Sequence, residues 1–90
     1  MGLTANERHR LGVLKRIRRE PKWRTFVHIT GGHDKFWKVG IVGPVVWIEY
    51  GPNGHDGNTL RKSFDWPWQA DDYVASKIHE KLNKGYEELT

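Results

Sequence analysis

Ninety residues make one domain, and the absence of cysteine excludes a disulfide scaffold, a thiolate metal site and a cysteine nucleophile. Hydrophobic residues are 37% of the chain and the mean hydropathy is −0.76, so aliphatic core material is scarce. Five Trp, three Tyr and three Phe predict a small, aromatic-rich core instead, since each buried ring removes roughly 150–250 Å² from water.

The net charge of +4 is unevenly spread. Residues 1–24 hold eight basic residues against Glu7 and Glu20, a net of +6, whereas residues 25–90 hold seven basic and nine acidic residues, a net of −2. No apolar run approaches the roughly 20 residues that span a bilayer. The opening MGLTANERHR lacks the apolar stretch of a secretory signal. The expectation is a soluble, cytoplasmic protein with no membrane partner. Met1-Gly2 does not make a myristoylation site, because Asn6 stands where Ser or Thr is required.

In chain order, Thr4-Ala5-Asn6-Glu7 fits a capping box. Leu11, Leu14 and Ile17 then recur at helical spacing, which predicts an amphipathic helix over 5–19 that Pro21 stops. Arg16, Arg18 and Arg19 crowd its last turn, where cations favour the helix dipole. That basic run is either a solvated, well-capped face or a surface for nucleic acid or an acidic partner. WRTFVHIT (23–30) reads as a strand, GGHD as a turn, and KFWKVGIV (35–42) as a strand with Trp37, Val39 and Ile41 on one face. After Gly43-Pro44, VVWIEY (45–50) puts Val46, Ile48 and Tyr50 on one face and Val45, Trp47 and Glu49 on the other. Gly51, Gly54 and Gly57 follow at a spacing of three, and TLRKSF (59–64) is a fourth strand. Ala70, Val74, Ile78 and Leu82 predict a helix over 68–84, ended by Gly85. Asp71 and Asp72 are expected in its first turn, favoured by the dipole, and Trp66 and Trp68 as a plug between loop and core.

The fold class expected is α+β. An N-terminal helix precedes a small antiparallel sheet of about four strands, and a C-terminal helix packs on one face of the sheet. Residues 1–22 form the basic arm and 23–90 the domain proper.

The three glycines are not a phosphate cradle. They lack the Walker lysine and open onto a strand rather than a helix. What they can do is turn the backbone tightly. Lys35-Phe36-Trp37, then Tyr50-Gly51-Pro52-Asn53-Gly54-His55-Asp56-Gly57-Asn58, then Lys62-Ser63-Phe64, and finally Lys81-Leu82-Asn83-Lys84-Gly85-Tyr86 together resemble the WGR domain. That domain is found in DNA-dependent poly(ADP-ribose) polymerases and in many bacterial proteins. The resemblance spans about residues 24–88. It implies a module that packs the signature Trp against the 5′ end of a DNA break and uses the signature Arg for contacts with DNA and neighbouring domains. Here the Trp is Tyr50 and the Arg is Pro52. An aromatic face remains for stacking, but Pro52 offers neither charge nor donor. Glu49 stands where members often carry a basic residue, and would repel phosphate.

His28, His33, His55, Asp34 and Asp56 are the only candidates for a metal site, and their spacing does not enforce convergence. His9 and His79 fall on solvated helix faces. Ser63 and Ser76 lack His/Asp partners by spacing. No metal, cofactor or catalytic activity is expected. The expectation is a non-catalytic binding module for DNA or another nucleic acid. Arg8, Arg10, Lys15, Arg16, Arg18 and Arg19 would supply charge, with Tyr50, Arg61 and Lys62 near the glycine loop. The alternative is a protein-interaction module that docks an acidic partner.

Overall fold

The computed structural model describes residues 21–89. The expected helix over 5–19 lies outside the described residues, and so do Arg8, Arg10, Lys15, Arg16, Arg18 and Arg19. Five strands form one antiparallel sheet: β1 (Arg24–His28), β2 (Lys35–Val42), β3 (Val45–Pro52), β4 (Asn58–Ser63) and β5 (Glu87–Leu89). Their spatial order is β4-β3-β2-β1-β5, and one helix, α1 (Pro67–Asn83), follows β4. The α+β class holds. The strand count is five rather than four, because β5 has no apolar pattern by which to be recognised. Its three residues, Glu87, Glu88 and Leu89, are all exposed and carry no apolar alternation.

The alternation of β2 and β3 builds the core. Trp37 lies opposite Phe26 on β1 and Tyr50 on β3, Val39 opposite Ile48, and Ile41 opposite Val46. All of these point to the face that α1 covers with Ala70, Val74 and Ile78. Phe26 and Val46 are completely buried, and the Phe26 and Trp37 rings tilt together at 5.6 Å between centroids. Burying a side chain of this kind contributes about 1.5–3 kcal/mol.

The core is less aromatic than composition suggests. Phe26, Trp37 and Tyr86 join five aliphatic residues in it. Trp66 and Trp68 are 61% and 62% exposed, so they plug nothing. They flank Pro67, where the chain has left β4 and α1 begins, and their exposure shows that no element among the described residues covers them. Leu82 is likewise exposed, and at this end of α1 it is Lys81 that faces the sheet, over Trp37 and Tyr86.

Pro67 starts α1 at the position where a missing N–H costs nothing. The Trp66 amide donates to Gln69 Oε1 at 2.9 Å. The first turn holds no acidic residue. Asp71 and Asp72 lie in the second turn, a correction that follows from the helix beginning one residue early.

The helix ends in a Schellman turn. Gly85 N–H donates to Leu82 O at 3.1 Å and Tyr86 N–H to Lys81 O at 3.0 Å, with Gly85 at φ +100°. The turn reverses the chain, buries Tyr86 against His28 (5.2 Å between ring centroids) and sends β5 alongside β1. A Cβ at position 85 would lie 3.2 Å from His28 Nε2. Arg24 clips β5 down by donating from Nε and Nη2 to the two Glu88 carboxylate oxygens, each at 2.7 Å.

Candidate functional site

The glycine loop joins β3 to β4, and its geometry answers why three glycines are needed. Gly54 and Gly57 have φ of +85° and +77°, in the region L side chains avoid. Gly57 also approaches its neighbours closely. A Cβ there would lie 2.4 Å from the Tyr50 carbonyl oxygen and 2.9 Å from Phe36 Cζ, and one on Gly51 would lie 2.9 Å from Gly57 Cα. The missing side chains let β3 and β4 close tightly beside the Phe36 ring. The loop is tied to the β1–β2 turn as well: Asn53 donates from its amide to Asp34 O (3.1 Å) and from Nδ2 to Asp34 Oδ1 (2.9 Å). The result fixes Tyr50 at the end of the sheet, 44% exposed, on the same face as α1.

Two open cavities flank that ring. One, of about 510 Å³, lies between the β1–β2 turn and the end of α1, and His33, Lys35, Pro52 and Tyr86 line it. The other, of about 310 Å³, runs along α1 past Leu60, Tyr73, Lys77 and Lys84. Tyr50 and Lys81 are walls of both.

Lys77 and Lys81 lie one turn apart on α1, Lys84 caps its C-terminal end, and Lys35 reaches the same region from β2. The Lys81 ammonium lies over the Trp37 ring at 5.6 Å and the Tyr86 ring at 5.2 Å, and Lys35 lies over Tyr86 at 5.8 Å. Partial burial lowers the Lys81 pKa from its usual value. The charges of Lys84, Lys35 and Lys77 add to that effect, and Glu80 opposes it. Lys77 meets Glu80 at 3.2 Å. Burial raises the Tyr86 hydroxyl pKa. The arrangement is two cavities that share the exposed Tyr50 ring, lined by four lysines against Asp34 and Glu80, chemistry suited to an anion that carries a flat or apolar group.

The other residues named from sequence are placed elsewhere. Arg61 packs over Trp47 at 5.2 Å on the opposite face of the sheet. Lys62 lies over Tyr73 at 4.7 Å and Phe64 at 5.6 Å, four residues along β4 from the Tyr50 level. Neither lines the cavities. Glu49 also points away from Tyr50 and is paired with Lys38 at 3.2 Å, so its charge does not face the site.

His28 and His33 stack at 4.2 Å between ring centroids, with an interplanar angle of 18°. His28 Nδ1 is buried without a hydrogen-bond partner. Its pKa is lowered by desolvation and by the adjacent His33 and Lys35. Among the described residues no three His, Asp or Glu side chains converge as a metal site, and no helix is long and apolar enough to cross a membrane. Sequence reasoning did not name Lys77 at all, used Lys35, Lys81, Lys84 and Tyr86 only as family motif positions, and weighed His33 only as a metal ligand. The signal was present in the i, i+4, i+7 spacing of the three helix lysines.

A family model for the WGR domain matches residues 21–90. No curated protein matches the chain. A solved structure of a protein from Bacteroides fragilis superposes with a TM-score of 0.74 at 35% identity, covering 77% of this chain. The matched part is 20% of that protein's length, so this chain spans about one fifth of it. Fold, motif order and family model agree, and the chain belongs to the WGR domain family.

Proposed function

We propose that this WGR domain is a non-catalytic DNA-binding module whose contact surface is the lysine-ringed Tyr50. The observation that carries the reading is that the exposed Tyr50 ring is shared by two cavities, one lined by Lys35 and Lys81 and the other by Lys77, Lys81 and Lys84. Phosphates of a DNA strand are held by the lysines, and the Tyr50 ring packs on a terminal sugar or base. Pro52 stands where the family signature has arginine. In this reading the cations come instead from β2 and α1. The basic residues Arg8, Arg10, Lys15, Arg16, Arg18 and Arg19 add long-range attraction, Lys62 contacts a phosphate farther along the strand, and Arg61, on the opposite face, takes no direct part. The family includes DNA-binding modules of poly(ADP-ribose) polymerases, which supports the class of ligand.

The test is fluorescence anisotropy on nicked duplex, blunt duplex and intact circular competitor, at low and physiological salt. The expected result is tighter binding to ends or nicks that is lost in Tyr50→Ala, with a log–log salt slope of about −0.9 per phosphate neutralised. Equal, weak binding to every form, unchanged by Tyr50→Ala, would refute the reading. A protein-interaction role is the second reading. It is favoured by the exposed Trp66 and Trp68, which lie far from the lysine ring on an end of the domain that carries Asp65, Asp71 and Asp72.

A further inference from the structure

The stacked histidines lie on the wall of the larger cavity. His33 lines it and is exposed, while His28 sits behind, between His33 and Tyr86. The charged and titratable groups around the stack are few. Lys35 comes from β2, Lys81 from α1, Asp34 from the β1–β2 turn, and Tyr50 and Tyr86 complete the cavity. Asp34 already has one carboxylate oxygen engaged by Asn53. In the free protein a proton on either imidazole therefore adds a third cation beside Lys35 and Lys81. A phosphate seated between those lysines reverses that balance.

The two imidazoles are not equivalent. A proton on His28 Nδ1 would bury a donor with no acceptor, since that atom has no partner. Desolvation acts in the same direction. His33 has one edge open to the cavity, and its ring face rests on His28. We propose that DNA binding at this cavity takes up one proton on His33, with His28 remaining neutral as the ring on which the imidazolium stacks. This rests on the DNA-binding reading above and assigns that site a pH dependence.

The linkage has a definite size. One proton taken up on binding tightens the complex by at most about tenfold per pH unit. Between about pH 7.5 and about pH 6.0 that ceiling is about thirtyfold. The experiment measures Kd by anisotropy over this range at fixed salt, using the full chain and a duplex with 5′-hydroxyl ends. Such ends avoid a phosphate monoester, which itself titrates near about pH 6. Affinity is expected to rise severalfold as pH falls, within that ceiling. The rise is expected to vanish in His33→Gln and to persist in His28→Phe, which keeps a ring for stacking. A second measurement does not depend on either variant. The His33 ring proton, followed by NMR, is expected to titrate at higher pH in the DNA complex than in the free protein. Binding with no pH dependence, or a dependence that His33→Gln leaves intact, overturns the proton uptake while leaving DNA binding standing. An unshifted His33 titration does the same. No DNA binding at any pH overturns both.

Discussion

Gly57→Ala is the substitution that most directly tests how the glycine loop positions Tyr50. Two costs add. Holding alanine at φ +77° costs about 1–2 kcal/mol. The new methyl would also lie 2.4 Å from the Tyr50 carbonyl oxygen and 2.9 Å from Phe36 Cζ. Ordinary contact is about 3.5 Å, so β4 must move from β3 by about 1 Å at the Tyr50–Asn58 pair. That stretches ladder hydrogen bonds that contribute about 1 kcal/mol each. The sum is about 3–4 kcal/mol. Gly54→Ala is the internal control. Its φ is +85°, yet a Cβ there meets nothing within 4 Å. Only the backbone cost remains, partly offset by about 0.4–1 kcal/mol from the stiffer unfolded chain, leaving about 1 kcal/mol. For a domain of this size each kcal/mol moves Tm by about 4–8 °C. Thermal melts followed by circular dichroism are expected to show Gly54→Ala lower by about 5 °C and Gly57→Ala by about 15 °C or more. Equal melting temperatures would mean that close approach at Gly57 contributes nothing and that positive φ alone explains the glycine.

Lys81→Met keeps the stem against Trp37 and Tyr86 and removes an ammonium held among like charges. Stability is expected to stay within about 0.5 kcal/mol of the parent, while the DNA salt slope drops by about 0.9; a large fall in Tm would show that Lys81 is chiefly structural. The Arg24 guanidinium lowers the Glu88 carboxyl pKa, so this pair stabilises the fold above the ordinary carboxylate range and stops doing so as pH falls through the lowered value. Glu88→Gln is accordingly expected to cost about 0.2–1 kcal/mol near neutral pH and nothing in strong acid, as read from urea melts at both pH values. A cost that grew on acidification would have the sign wrong. Trp68→Ser is expected to change stability by less than about 0.5 kcal/mol, because the indole is 62% exposed. A loss of several kcal/mol in a denaturant titration would restore the plug reading.

The sheet was legible because its pattern is local. Trp37, Val39 and Ile41 alternate with Lys38 and Gly40, and the turns carry glycine at the positions the backbone demands. What was not legible depends on what lies across from a residue. β5 has no pattern of its own and exists because the Schellman turn delivers it to the free edge of β1. Trp66 and Trp68 look like core by composition, but burial depends on how far α1 runs over the sheet. Tyr50 was identified because the glycine loop marks it. The lysines around it were missed because α1 reads in sequence as a packing element, and only the fold shows that Lys77, Lys81 and Lys84 end beside β3. The charge asymmetry drew attention to residues 1–24, yet the cations that line the cavities beside Tyr50 come from the part of the chain whose net charge is −2. Net charge sums over faces, and a site is made by one face.

Moving the cations from the loop to the helix has a consequence for what the surface can distinguish. A signature arginine offers a planar fork of donors that selects geometry. Lysines offer mobile point charges, and phosphate contacts position a duplex without reading its sequence. Tyr50 adds a ring that stacks on any base or sugar. Asn53 is engaged with Asp34, and Arg61 lies on the opposite face over Trp47, which leaves Asn58, opposite Tyr50 on β4, as the amide beside the ring, and one amide reads at most one base. Under the DNA-binding reading, the domain discriminates by the shape of a strand end and the phosphates around it. Its affinity then varies little when the sequence beside the end is changed and much when the end is removed, because only the second change takes away the surface on which the Tyr50 ring packs.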